Sequence, residues 1–238
     1  MLSALGLAFA TTTARAQGGP PLITDDPRTV APRHWEINVA LTAEQEDPGA
    51  WHAETPILDM NYGAGERVQI KLEIPWVIET QRGASTQTAL GSASLGARWR
   101  FVGTNTSPDA VSTYPAVTFH NSTLGGTTEL FLPIEYAHVM GRLALNAEAG
   151  LDLQRDGPCD WAYGLVAGYD APMDWELLAE VHGVSTPADG TREWLFQLGA
   201  RHTFSQHYTL LVALGRSLPG STDSNPGFIG YLGLQLNL

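Results

Sequence analysis

Few residues in this chain have types and spacings that could do covalent chemistry. His120-Asn121-Ser122 sets an imidazole and a hydroxyl two residues apart, a base and a nucleophile if a third polar side chain orients the ring. The chain has no G-x-S-x-G elbow, H-E-x-x-H pair, P-loop or dinucleotide fingerprint. Its seven His are scattered, and His202 and His207, on either side of a turn, read as interfacial polar residues, so no metal site is expected. Cys159 is the single cysteine and can form neither an internal disulfide nor a multi-thiolate site. What remains is a set of charged side chains interleaved with apolar ones: Glu36, Asp59, Lys71, Glu73, Arg98, Arg100, Glu135, Glu148, Asp152, Glu180 and Arg201. Fixed charges of that kind suit the lining of an aqueous passage or a self-paired interior network. Neither catalysis nor a cofactor is expected.

Composition narrows the setting. The 238 residues carry 13 Lys and Arg against 25 Asp and Glu, and the net charge of -12 argues against nucleic acid, whose binding surfaces need clustered cations. Seven Trp, seven Tyr and seven Phe supply more burial than a disordered chain has. The longest uncharged stretch, residues 110–128, holds a Pro, a His and many hydroxyls, so no segment reads as a spanning helix. Residues 2–10 form a short apolar core ahead of Ala14-Arg15-Ala16, which predicts a secretory signal over 1–16 cleaved after Ala16. Residues 17–33 are a Pro-rich, irregular lead-in, and 34–238 carry the periodic sequence.

That periodicity is two. Trp35, Ile37, Val39 and Leu41 oppose Glu36, Asn38 and Ala40, as in a strand whose faces see different media. The alternation recurs through Leu58/Met60/Tyr62, Val68/Ile70/Leu72/Ile74, Leu95/Ala97/Trp99/Phe101, Leu130/Leu132/Ile134/Tyr136 and Leu143/Leu145/Ala147. Later come Trp161/Tyr163/Leu165, Trp175/Leu177/Ala179, Trp194/Phe196/Leu198, Tyr208/Leu210/Val212 and Phe228/Leu232/Leu234. With a weaker segment at Val117/Phe119 the count is twelve, an even number that suits a closed, antiparallel, up-and-down transmembrane β-barrel. Tight connections alternate with longer ones, apart from a long stretch at 103–112, where a short turn is expected. Twelve outward aromatics fall into two end belts, a placement that membrane interfaces favour and a soluble sandwich has no reason to adopt.

The block Pro21-Leu22-Ile23-Thr24-Asp25-Asp26-Pro27, then His34-Trp35-Glu36-Ile37-Asn38, resembles the opening of the bacterial outer-membrane barrels grouped as the MetA-pathway of phenol degradation family. The unit Tyr62-Gly63-Ala64-Gly65-Glu66-Arg67-Val68-Gln69 is similar to that family's second turn. The resemblance implies a Gram-negative outer-membrane channel or transporter, porin-like in build, for aromatic or other small organic compounds.

Barrel phospholipases of twelve strands also carry a His-x-Ser pair, but need it on the lipid-facing surface. Here outward Val117 and Phe119 turn His120 and Ser122 inward, and the outward Leu130, Leu132 and Ile134 of the next strand offer no orienter. The expectation is therefore a barrel in the cell outer membrane, surrounded by lipid, inserted by the barrel-assembly machinery and passing small solutes passively. A non-conducting structural or surface-binding barrel is the alternative. Inward charges admit both, since they can pair across the lumen as a plug or stay unpaired and select cations.

Overall fold

A strand with one apolar and one polar face can satisfy its backbone in lipid only by pairing on both edges. In the computed structural model, which describes residues 19–45, 49–121, 128–155, 157–219 and 227–238, the ladder does so by closing on itself. The segments are β1 (Trp35–Gln45), β2 (Trp51–Gly63), β3 (Val68–Thr80), β4 (Gln87–Leu90), β5 (Ala93–Val102), β6 (Asp109–Thr113), β7 (Ala116–Phe119) and β8 (Glu129–Met140). They continue with β9 (Leu143–Gln154), β10 (Cys159–Ala171), β11 (Trp175–Thr186), β12 (Thr191–Thr203), β13 (Tyr208–Ser217) and β14 (Phe228–Asn237). All pairings are antiparallel, and β14 returns to β1, with Glu36 opposite Asn237 and Gln45 opposite Phe228.

Fourteen segments make twelve strands. β4 and β5 lie on successive lengths of β3, and β6 and β7 on successive lengths of β8. The second break falls at Tyr114-Pro115, where proline has no N–H to give the ladder. The weak fifth strand therefore begins at Asp109 rather than near Val117. The long connection expected at 103–112 shortens to 103–108, which removes most of the exception to the turn pattern.

The parity holds around the wall. Leu165, Leu198 and Leu214 face outward and are exposed, whereas Asn38, Glu135 and Gln197 face inward and are almost fully buried, the reverse of a soluble protein. This closed barrel with an apolar exterior is an outer-membrane architecture. A register shift between Glu54 and Ile57 moves His52 and Glu54 to the inner face, where His52 lies 3.8 Å from Glu54 and 3.7 Å from Glu79. Trp35–Tyr62 and Trp99–Phe101 contacts mark one rim, at 4.8 and 5.6 Å between ring centroids, and Trp51–Phe228 the other, at 6.4 Å. The first rim carries the short turns at 64–67, 141–142, 172–174 and 204–207, which makes it the periplasmic one. The expected signal at 1–16, Ser122, and parts of the outer loops at 46–48, 156 and 220–226 lie outside the described residues.

Candidate functional site: a lumen occupied by the chain's own N-terminal segment

The inward charges surround residues 19–33, which sit inside the periplasmic half of the barrel as a plug. At the rim, the Arg33 N–H donates to the Gly63 carbonyl at 2.7 Å. Only glycine permits this approach, since a Cβ at Gly63 would lie 2.0 Å from the Ala31 oxygen. Near the same rim the Val30 N–H donates to Gln69 Oε1 at 2.9 Å, and Asn105 of the periplasmic connection accepts from the Thr29 N–H and donates to the Thr29 carbonyl. Asn146 donates to Asp26 at 3.1 Å. At the apex the Ile23 and Thr24 N–H groups donate to the two oxygens of Glu180, at 3.1 and 2.6 Å. The segment then falls back to Pro20 and Gly19, whose carbonyls accept from the Arg201 guanidinium at 2.6 and 3.0 Å.

Two features fix the apex. The Leu22 side chain packs among Val166, Leu178 and Ala213, with Tyr231 against the group. This is an apolar seat in an otherwise polar lumen, and its burial contributes about 1.5–3 kcal/mol. The wall opposite Thr24 is Gly164, where a Cβ would lie only 1.8 Å from Thr24 Oγ1.

Asp25 is the segment's charged anchor. It forms an ion pair with Arg98 and lies 4.0 Å from Lys71 Nζ. Burial alone would push this carboxyl up, but the Arg98 and Lys71 charges outweigh it and hold Asp25 below the ordinary carboxylate value. Arg98 also donates to both oxygens of Glu135, at 3.1 and 3.3 Å, and Glu135 accepts from the Ser112 hydroxyl. Lys71 lies 3.7 Å from Asp59 and 3.8 Å from Glu73, and Asp59 accepts from Asn38 and Asn61. The Tyr114 ring sits 5.2 Å from the Arg98 guanidinium and 5.8 Å from Lys71 Nζ, within cation–π range.

Of the charged residues singled out in the sequence, Lys71, Arg98, Glu148, Glu180 and Arg201 touch the plug directly, Glu148 through the Asp25 backbone N–H. Asp59, Glu73 and Glu135 buttress them. Arg100 stands at the periplasmic mouth, where it donates to Asn105 and to the Glu66 carbonyl. Glu36 accepts from Gln235 at 2.9 Å and shares with Asp59, Lys71 and Arg201 a cavity of about 70 Å³ beside the segment, with room for water. Asp152 belongs elsewhere: it faces Asp160 in the external half, near Glu129.

The sequence reading missed Leu22, Thr24 and Asp25 as lumen residues and Tyr114 and Tyr231 as inward aromatics. The lead-in has no periodicity to betray a buried face, and Tyr114 falls in a strand break. His120 points inward, as its parity requires. Its Nδ1 bonds Ser92 Oγ at 2.7 Å and its Nε2 lies 3.3 Å from a Glu129 carboxylate oxygen. The group bridges β5, β7 and β8 where the wall is interrupted. His202 stacks on Trp175 at 4.4 Å, and His207 donates to the Asn237 carbonyl.

Several solved outer-membrane channels share this architecture. The chain matches an outer-membrane channel from Pseudomonas putida F1 with a TM-score of 0.75 at 13% identity, over 90% of this chain and 98% of that one. It matches the KdgM porin at 0.62 and 9% identity, over 84% and 98% of the two chains. The NanC porin gives 0.61 and 7% identity, over 84% and 97%. No family model matches the chain, and no curated protein does. The resemblance to the phenol-degradation family thus rests on its own residues, and at these identities the likeness to the channels is one of fold: a closed barrel of the kind that porins use.

Proposed function

We propose that this chain is an outer-membrane channel for passive passage of small molecules, closed at rest by residues 19–33, with no catalysis and no cofactor. The seating of that segment carries the reading. It is held by ion pairs and hydrogen bonds to side chains, not by strand pairing, so it can leave while the barrel ladder stays whole. The eleven charged residues of the sequence reading then act as the lining, with those around the plug exposed to the path once it is displaced. Insertion would fall to the barrel-assembly machinery.

A solved structure has the KdgM porin in complex with disordered oligogalacturonate, a precedent for a solute bound by a barrel of this fold. For this chain the family resemblance favours aromatic or other small organic compounds. One observation favours the rival reading of a non-conducting structural barrel: the cavity left beside the plug is only about 70 Å³. Planar-bilayer recording separates the two. A gated channel gives rare openings that become frequent in Asp25→Asn, whereas a structural barrel stays silent in both forms.

A further inference from the structure

The tip of the plug occupies a seat with the features of a ligand site. Leu22 fills an apolar niche of Val166, Leu178, Ala213 and Tyr231, lined at its side by Gly199, whose missing Cβ would approach Leu22 Cδ2 to 3.2 Å. Beside the niche lies the Glu180 carboxylate, 1% exposed. Among the described residues it accepts hydrogen bonds from neutral groups, the Ile23 and Thr24 backbone N–H groups and Gln197 Nε2, the last at 3.0 Å, and its titratable neighbour on the same face of β11 is His182. Most buried carboxylates deeper in the lumen have a cation instead, as Glu135 has Arg98 and Glu176 has Arg201.

We propose that this seat binds small organic ammonium compounds, the apolar body replacing Leu22 and the ammonium replacing the two backbone N–H groups on Glu180, so that binding lifts the plug. A charged donor on a carboxylate is roughly twice as strong as a neutral one, which gives an amine the advantage over the segment it displaces. Tyr231 adds an aromatic wall that suits a cation. The route in from outside favours the same charge. The external half of the lumen carries Glu54, Glu79, Glu129 and Asp152, with His52 between the first two and His120 beside the third, and a surplus of carboxylates at a mouth concentrates cations. The niche is filled by one leucine side chain, so the ligand's apolar body is a short alkyl group or a single ring.

The inference rests on the channel reading and names the solute class for it. Its test uses the full chain in planar bilayers with three probes of one shape, benzylamine, benzyl alcohol and benzoate, added on the external side. Benzylamine should raise opening frequency at concentrations about tenfold lower than benzyl alcohol, and benzoate should do nothing. Glu180→Gln should abolish the preference for the amine, while Glu180→Asp, which keeps the charge, should retain it. Heat-modifiable gel migration confirms that each variant is folded. Equal potency of amine and alcohol, or a preference that survives Glu180→Gln, overturns the site. If Gly164→Ala opens the pore but none of the probes does, the ligand site falls and the channel stands. If neither opens it, both fall.

Discussion

A single methyl group at Gly164 puts the gating role of the N-terminal segment to the test without altering any charge. The Cβ of Gly164→Ala would lie 1.8 Å from Thr24 Oγ1, 2.8 Å from its Cβ and 3.0 Å from its Cγ2. Ordinary carbon contacts are about 3.5–4.0 Å, so Thr24 must withdraw by about 1.5 Å or more. That movement breaks the 2.6 Å bond from the Thr24 N–H to Glu180 and strains the neighbouring bond from Ile23. Hydrogen bonds to a charged group contribute about 1.5–3 kcal/mol net, so losing one lowers the ratio of docked to undocked segment by about ten- to a hundredfold. If Leu22 leaves its niche as well, about 1.5–3 kcal/mol more is lost. In planar bilayers Gly164→Ala should therefore open at least tenfold more often than the parent chain. Gly65→Ala is the control, because nothing lies within 4 Å of a Cβ there. Traces from folded Gly164→Ala that match the control would show that the segment is not the barrier to conduction.

Other outcomes follow from the same geometry. The depressed Asp25 carboxyl contributes to docking at all pH values above its ordinary 3.8, and that contribution is lost as pH falls through its lowered value. Opening driven by acid should thus begin below about pH 4. An acid-driven opening that is unchanged below pH 4 in Asp25→Asn would remove Asp25 as the anchor. Leu145 faces lipid on β9, so Leu145→Arg should cost about 2–4 kcal/mol in bilayer folding titrations, and a cost near zero would reject the face assignment. Cys159 is exposed at the start of β10, at the external rim; a membrane-impermeant maleimide should label it in intact cells, and labelling only after lysis would invert the topology.

The wall was legible because it is periodic. Each strand presents apolar side chains to lipid at every second residue, so parity alone separates Leu145 from Asn146 and Leu198 from Gln197. The fifth strand was blurred because Pro115 and Tyr114 interrupt its pattern and Ala110, Ser112 and Ala116 give its inner face too little contrast. The bulge before Ile57 hid His52 and Glu54, since one register shift reverses the face of everything beyond it. The plug was illegible for a different reason. Its residues bond through backbone N–H and C=O groups to side chains far away in the sequence, from 39 positions for Val30 and Gln69 to 156 for Thr24 and Glu180, and no local spacing encodes such a partner. The only local trace was the density of unusual residues in 21–27, which resembled a family without revealing where the segment sits.

The division of charge between wall and segment is what allows the barrel to survive without its occupant. A buried ion left unpaired costs several kcal/mol, so a plug that alone satisfied the wall cations could not leave cheaply. Here each of those cations has a second partner on the wall: Arg98 keeps Glu135, Arg201 keeps Glu176, and Lys71 keeps Asp59 and Glu73. Asp25 is thus an added contact on charges that are already paired, and Leu22 and the backbone N–H groups on Glu180 supply the rest of the hold. Water entering behind the departing segment can solvate Glu180 and Glu148, the two wall carboxylates that meet the segment and form no ion pair with a wall cation among the described residues. The two states therefore differ by a small set of contacts at one end of the lumen and not by the integrity of the ladder, which is the energetic condition for a segment that gates and does not merely fill.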